Sequence, residues 1–281
     1  MARISSLNVL LTDSGKDFLA EQYGKVIENL QKRLISSRMK NTDLSGSPTS
    51  GSVEAKRFAN ATSNPYGTAR SGGKGAAVKA KPVTIPIDQD EEIIEEVEQK
   101  DVSLYGIDNF IERRAAASEG TMARKLERAF FATAADAGTE VTPTATQAQY
   151  ILEELIQSVE TVKNDFVDGV ERDMIHVVCN PSFYGSIRTY LDGANRETKA
   201  EAVDTYHGVK VYSSVYLPDG YKAIAMAEGA VAQPVLPNIA DAEKIPMSEA
   251  YSFGVFYHYG TKAVAEDLIF TLKDSEPDAE E

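Results

Sequence analysis

The sequence predicts an α+β subunit: an N-terminal arm, an extended hairpin, one long helix and then a compact α/β unit. Three observations predict it. A basic, Gly/Ser-rich stretch from Val53 to Ile87 carries Lys56, Arg57, Arg70, Lys74, Lys79 and Lys81 against a single acid, Glu54. That stretch runs straight into Asp88, Asp90, Glu91, Glu92, Glu95, Glu96, Glu98 and Asp101. A helix-forming run then leads into alternating strand-like and helical segments.

The first element is an amphipathic helix from Asp17 to about residue 40. Phe18, Leu19, Val26, Ile27, Leu30 and Leu34 recur at three- and four-residue steps, and Asp13 or Ser14 is the expected cap. Its basic end (Lys32, Arg33, Arg38, Lys40) suits docking on another surface. TDLSGSPTSGS after it reads as a flexible linker. NATSNPYGTARSGGKGAA is too rich in small residues to form a core and reads as the tip of an extended loop. In AVKAKPVTIPID, Val83, Ile85 and Ile87 share one face, and Pro82 and Pro86 confine the strand to an edge. EEIIEEVEQKDV fits either a strand or a helix under heavy negative charge.

The most secure element is a helix from Asp108 to about Ala135, capped by Asp108 or Asn109. Gly120 weakens its middle by roughly 1 kcal/mol relative to Ala. At about 1.5 Å per residue it reaches on the order of 40 Å, the length of a spine. Residues 136–145 read as a linker. Thr146 opens a helix with Ile151, Leu152, Leu155, Val159, Val162 and Phe166 on one side. MIHVVCN reads as a buried strand, and Pro181 starts a short helix that Gly193 follows. GVKVYSS, YKAIAMAEGAVAQP, YSFGVFYHYG and TKAVAEDLIFTLK read as strands, before an acidic tail.

Composition bounds the function. A 281-residue chain with 42% hydrophobic residues can bury a substantial core. No apolar run approaches the roughly 20 residues of a membrane helix, and the start lacks the pattern of a secretory signal. The lone Cys179, inside an apolar run, reads as a buried thiol. Residues 1–82 carry 13 basic and 6 acidic side chains, and the remainder 16 and 37, giving balances of +7 and −21 within the formal −14. So acidic a body repels phosphate backbones, which disfavours a dedicated nucleic-acid reader. The basic third has its electrostatic partner in the acidic remainder, within one subunit or across two.

Catalytic and metal motifs fail on inspection, so no catalytic, cofactor-binding or metal residues are expected. SGGKGA lacks the Gly-x4-Gly-Lys-Ser/Thr order of a phosphate loop and the strand-to-helix setting of a dinucleotide fingerprint. His176, His207 and His258 show no metal-ligand spacing, and there is no G-x-S-x-G elbow. The 88–101 acids lack the glycine and spaced oxygens of an EF-hand and read as a solvated or partner-facing edge. Asn60-Ala61-Thr62 is a chance glycosylation triplet.

DEEIIEEVEQKDVSLYG before the spine, KLERAFF near its end, VVCNPSFYGSIR, HGVKVYSSVYLPDG with AMAEGAVAQP, and the closing FYHYGTKAVAEDLI occur in one order along the chain. In that order the chain resembles the major capsid proteins of tailed bacteriophages, the Hong Kong 97-type fold. The resemblance covers essentially the whole chain and rests on diffuse segments rather than one signature. It implies an N-terminal arm (1–52), an extended loop hairpin (53–100) and a peripheral domain (101–145 and 249–275) with its spine helix at 108–135. An axial domain (146–248) and an acidic tail (276–281) complete it. It implies a structural, non-enzymatic subunit forming pentamers and hexamers of an icosahedral shell around double-stranded DNA, without sequence-specific binding. The protein is then expected in the virion, after synthesis in the host bacterial cytoplasm and without membrane contact. Other copies of itself are the main partners, with a portal and decoration proteins. The short segment before the linker suits a separate scaffolding protein rather than a cleaved one, and no Lys–Asn cross-linking pair is identified. The expected inter-subunit residues are Lys56, Arg57, Arg70, Lys74, Lys79 and Lys81 against Asp90, Glu91, Glu92, Glu95 and Glu96. The arm is expected to project rather than fold back on its own body. Two rival readings are an encapsulin-like nanocompartment shell and a cytosolic α/β enzyme with a mobile acidic lid.

Overall fold

A computed structural model describes residues 7–61, 63, 65–67, 78–102, 106–194 and 205–274. After a 3-10 turn at Leu7–Leu11 comes helix α1 (Asp13–Arg33). Thr12, not Asp13 or Ser14, is its cap. Thr12 has extended backbone (φ −79°, ψ 159°) and its hydroxyl accepts the Gly15 N–H at 3.3 Å, whereas the other two already lie in the first turn. Leu19, Tyr23, Val26 and Leu30 form the buried stripe that packs α1 on the spine.

The expected free linker is structured. Strand β1 (Leu44–Ser45) pairs antiparallel with β2 (Ser52–Phe58), and Pro48–Ser50 form a 3-10 turn between them. Strand β3 (Ala80–Pro86) completes the hairpin on the outer edge of this three-stranded sheet, where Pro82 and Pro86 need no ladder partner. The acidic stretch is strand β4 (Gln89–Val97), followed by a single turn, α2 (Gln99–Val102).

The spine is α3 (Ile107–Ala137), 31 residues long. Gly106 with φ 78° stands at its N-cap, so Asp108 and Asn109 are not caps; Asp108 instead faces the positive end of the helix dipole. The expected linker after it contains β5 (Thr139–Glu140). Helix α4 (Ala148–Glu160) begins after Gln147 rather than at Thr146 and ends before Val162 and Phe166, which lie in the following turn. Then come β6 (Ile175–Cys179), α5 (Pro181–Ala194, which includes Gly193), β7 (Thr205–Tyr206), β8 (Val209–Ser213) and β9 (Tyr221–Ala227). The last elements are β10 (Val231–Ala232), β11 (Val235–Lys244), β12 (Tyr251–Tyr259), β13 (Lys262–Ala263) and β14 (Ile269–Lys273).

Two larger sheets organise these elements. A mixed six-stranded sheet, ordered β5-β14-β9-β6-β8-β7, carries α4 and α5 and shares its core with Phe130, Phe131 and Ala134 of the spine. A three-stranded sheet, ordered β11-β12-β4, packs on α1 and the first part of the spine. The sheets do not follow a boundary at 248: β11 joins β12, while β14 returns to β9. Strand pairing across long sequence gaps places both, and local pattern does not report it.

β6 is buried throughout, so the Cys179 thiol is pushed far up by desolvation and is inert. His176 is fully buried in the same strand, 3.4 Å from Glu228 Oε2 and stacked on Tyr212. Burial pulls its pKa down, opposed by Glu228 and reinforced by Lys210. The folded chain therefore holds His176 neutral where the unfolded chain, with a pKa near about 6.5, takes up a proton. Stability is expected to fall as pH drops below that value, by at most about 1.4 kcal/mol per pH unit from this group, until the folded pKa is passed. Urea melts at stepped pH should show this slope for the native chain and a flatter one for His176→Phe.

Candidate inter-subunit surface

The period of two along β2 decides which hairpin residues serve the subunit and which face outward. Val53 and Ala55 point inward and, with Ile85, pack on Ala232 and Val264. Arg57 continues that inward row. Its side chain is 13% exposed, its guanidinium chelates both oxygens of Asp267 (Nη2 to Oδ2 at 2.8 Å), and it lies 4.9 Å from the Phe166 ring centroid. Asn164 donates to the same carboxylate, and Arg57 holds the Asp267 carboxyl below the usual carboxylate range. The Asn60 N–H donates to Asp165 O at 3.1 Å.

This corrects the expectation of an arm projecting from Val53 onward. Its base is docked on its own body as far as Asn60, because the inward row is apolar and ends in an arginine with a waiting carboxylate. On the outward row of β2 and beyond the dock the surface is apolar and open: Phe58, Tyr66 and Val78 are 57%, 90% and 82% exposed. Arg70 and Lys74 lie outside the described residues. Lys56 and Lys81 are exposed and make no ion pair among the described residues, while Lys79 stands 3.9 Å from Asp165.

The acidic strand divides the same way. Glu91 and Glu95 face the spine, where Glu91 meets Lys125 at 2.9 Å and Glu95 accepts from Arg114 Nε at 2.6 Å. Lys125 and Arg114 are eleven residues apart, three helical turns, so one helix face presents both cations. Asp90 meets His258 Nδ1 at 2.6 Å. Glu92 and Glu96 point away, exposed and without an ion pair among the described residues. Register places Leu236 beside His258 and Asp90, Asn238 beside Phe256 and Glu92, and Ala240 beside Gly254 and Ile94. The outer sheet face is thus an apolar stripe of Leu236, Phe256 and Ile94 set among acids. Sequence reasoning saw the acids and missed the stripe, because EEIIEEV pairs its acids and isoleucines instead of alternating them, and only the strand conformation puts Ile94 on the outer face.

Among the described residues no cluster of three or more His, Cys, Asp or Glu forms a metal site, and no helix is long and apolar enough to cross a membrane. No protein-family model and no curated protein matches the chain. Solved structures do. A structure from Mycobacterium phage Che8 superposes with a TM-score of 0.58 at 19% identity, over 79% of this chain and 84% of that one. The capsid of an empty GTA particle gives 0.58 at 14% identity, over 86% and 89%. A virus-like particle from Pyrococcus furiosus gives 0.56 at 11% identity, over 90% and 98%. The chain has the Hong Kong 97-type fold.

In this Hong Kong 97-type fold the Arg57–Asp267 pair ties the base of the hairpin to the body. Arg57→Met is expected to lower stability by roughly 1.5–3 kcal/mol, the range for hydrogen bonds to a charged group. Because the folded Asp267 pKa is depressed, the pair's stabilisation is present above about pH 4 and disappears as pH falls through the folded value. Urea melts at pH 7, with amide exchange read on β2 and β3, check this; unchanged protection in both strands would refute the anchoring role.

Proposed function

We propose that this chain is the major capsid protein of a tailed double-stranded DNA bacteriophage, a structural subunit that performs no reaction. The observation that carries the reading is a mismatch within one molecule. It presents a basic hairpin with exposed Phe58, Tyr66 and Val78, and an acidic sheet face with a Leu236–Phe256–Ile94 stripe, and neither covers the other. Two such different patches meet head-to-tail between copies, and a heterologous contact of that kind makes a ring when the rotation between copies closes. In this reading Lys56 and Lys81, with Arg70 and Lys74, lie against Glu92 and Glu96 of a neighbour. Exposed ion pairs are each worth only about 0–1 kcal/mol. The apolar residues, repeated over obligate interfaces above roughly 2,000 Å², supply most of the association.

Pentamers and hexamers then close an icosahedral, non-covalent shell around DNA that the acidic body does not grip. The protein sits in the virion, is made in the bacterial cytoplasm, and works with a separate scaffolding protein, a portal and decoration proteins. Capsids among the structures of similar fold support this reading. The chain should be expressed alone and with the products of its neighbouring genes, then imaged by electron microscopy. Closed particles of uniform diameter with five- and six-fold capsomers are expected, and native particles should hold DNA. A stable monomer under both conditions overturns the proposal, and protein cargo in place of DNA assigns the shell to a nanocompartment.

A further inference from the structure

Two arginines from separate elements lie across two neighbouring tyrosines, and the shell reading gives neither a task. Arg128, on an exposed face of the spine, stands 5.9 Å from the ring centroid of Tyr216. Arg38, which closes the 3-10 turn Ser36–Arg38 after α1, stands 5.7 Å from the ring centroid of Tyr212 in β8. Both cations are exposed, and neither has an ion pair among the described residues. A guanidinium laid on a tyrosine face is held by the ring while its N–H edge stays open to an acceptor. The lysines at the start of β9 and the end of β14 are already taken: Lys222 meets Asp274 at 3.3 Å and Lys273 meets Glu140 at 2.6 Å.

The chain itself supplies a matching anion. After Asp274 the sequence runs SEPDAEE, with Glu276, Asp278, Glu280 and Glu281 and no basic residue, outside the described residues. Its point of departure is fixed. The Asp274 N–H donates to Gly220 O at 2.8 Å, so the segment leaves from the loop that carries Tyr216. Four residues of that loop cover at most about 14 Å, whereas seven extended residues reach about 23–25 Å. Tyr216 is therefore within the segment's reach however the loop turns. Residues 83–281 carry a balance of −21, so most of this body repels a run of carboxylates. Two unpaired guanidiniums side by side do the opposite, and each can take a carboxylate on two N–H groups.

We propose that the acidic segment 275–281 docks on its own subunit across Tyr216 and Tyr212, with its carboxylates on Arg128 and Arg38. The contact covers both cations, which withholds them from a phosphate backbone or a neighbour's acidic face. Disulfide trapping in the unassembled subunit tests it, because the native Cys179 is buried and stays silent. Val215 is 70% exposed beside Tyr216, and Val215→Cys with Ala279→Cys should close an intrachain disulfide at a rate independent of protein concentration. A tethered segment collides with its loop in any case, so the deciding readout is charge. Adding Arg38→Glu and Arg128→Glu should slow closure at least about five-fold, the scale of two exposed ion pairs. Salt at about 1 M, where the screening length is about 3 Å, should slow it as well. Reversing the four acids of the segment to lysine in the double-glutamate variant should restore the native rate. The salt comparison leaves the arginines in place, so a misfolded variant does not spoil the test. Closure that ignores both charge reversal and salt overturns the proposal, as does a disulfide found only between chains. Retardation of DNA by the native chain, lost in the double-glutamate variant, would give the arginines to a phosphate backbone and overturn it too. The reading is taken on single subunits, so it stands or falls apart from shell formation.

Discussion

Replacing residues 64–76 with a short Gly-Ser turn is expected to abolish particle formation while leaving a folded subunit. The described anchors of the hairpin lie below that point: Val53, Ala55 and Ile85 are buried, Arg57 holds Asp267, and the Ala59 N–H donates to Lys79 O at 2.9 Å. Among the described residues, none from 59 to 79 belongs to the three core clusters. The deletion spares every residue of these clusters, and its thermal midpoint should stay within about 2 °C of the native chain, less than 1 kcal/mol is worth in a domain of this size. Assembly should be lost outright. Small energies repeated over every interface of a shell are cooperative, and the removed segment carries Tyr66, Arg70 and Lys74 together. Size-exclusion chromatography and negative-stain microscopy read assembly, and circular dichroism reads the fold. Normal particles from the deleted chain would sink the hairpin's role. A subunit that no longer melts cooperatively would show that the distal segment belongs to the folding unit.

Elements with a strong local period are legible from the sequence. The α1 stripe, the spine, the all-buried β6 with Cys179, and the proline-marked edge strand β3 each follow from residues within a few positions of one another. What escapes depends on distant partners. β4 fits helix or strand equally by local pattern because its ladder partner, Tyr251–Tyr259, lies more than 150 residues away. The Thr42–Ser52 stretch has the composition of a linker, yet Gly46 and Gly51 take φ of 102° and 82° and fold it into a turn beside β1. The candidate surface divides on the same ground. Total charge marks the hairpin and the acidic edge, but only strand alternation separates Glu92 and Glu96, which face outward, from Glu91 and Glu95, which the spine neutralises. Arg57 is the sharpest case. Sequence alone groups it with the free cations because Asp267 is 210 residues away.

That dependence on distant backbone makes Gly260→Ala a damaging change, with the closest backbone approach among the described glycines. Gly260 lies just past β12, and a Cβ placed there would stand 1.7 Å from Pro86 O and 2.8 Å from its carbonyl carbon. Both are main-chain atoms at the end of β3, pinned by the Ile87 N–H to Gly51 O bond at 2.9 Å, so no side-chain rotation relieves the overlap. The backbones must part where the hairpin joins the body. Overpacking of this kind costs roughly 1–3 kcal/mol, which for a chain of this size is a fall of about 2–12 °C in Tm. The same movement is expected to tilt the docked hairpin away from the proposed contact with a neighbour, so assembly should fail even where the variant remains folded. Gly24→Ala is the matched control. It sits in α1 with nothing within 4 Å of the new methyl, and should raise stability by about 0.4–1 kcal/mol through helix propensity and a less disordered unfolded state. Differential scanning calorimetry of the two variants, followed by assembly assays at matched concentration, separates the effects. If Gly260→Ala melts with the native chain, the close approach of β12 to the hairpin exit is wrong; if it melts low yet assembles normally, the hairpin's angle is not what assembly reads.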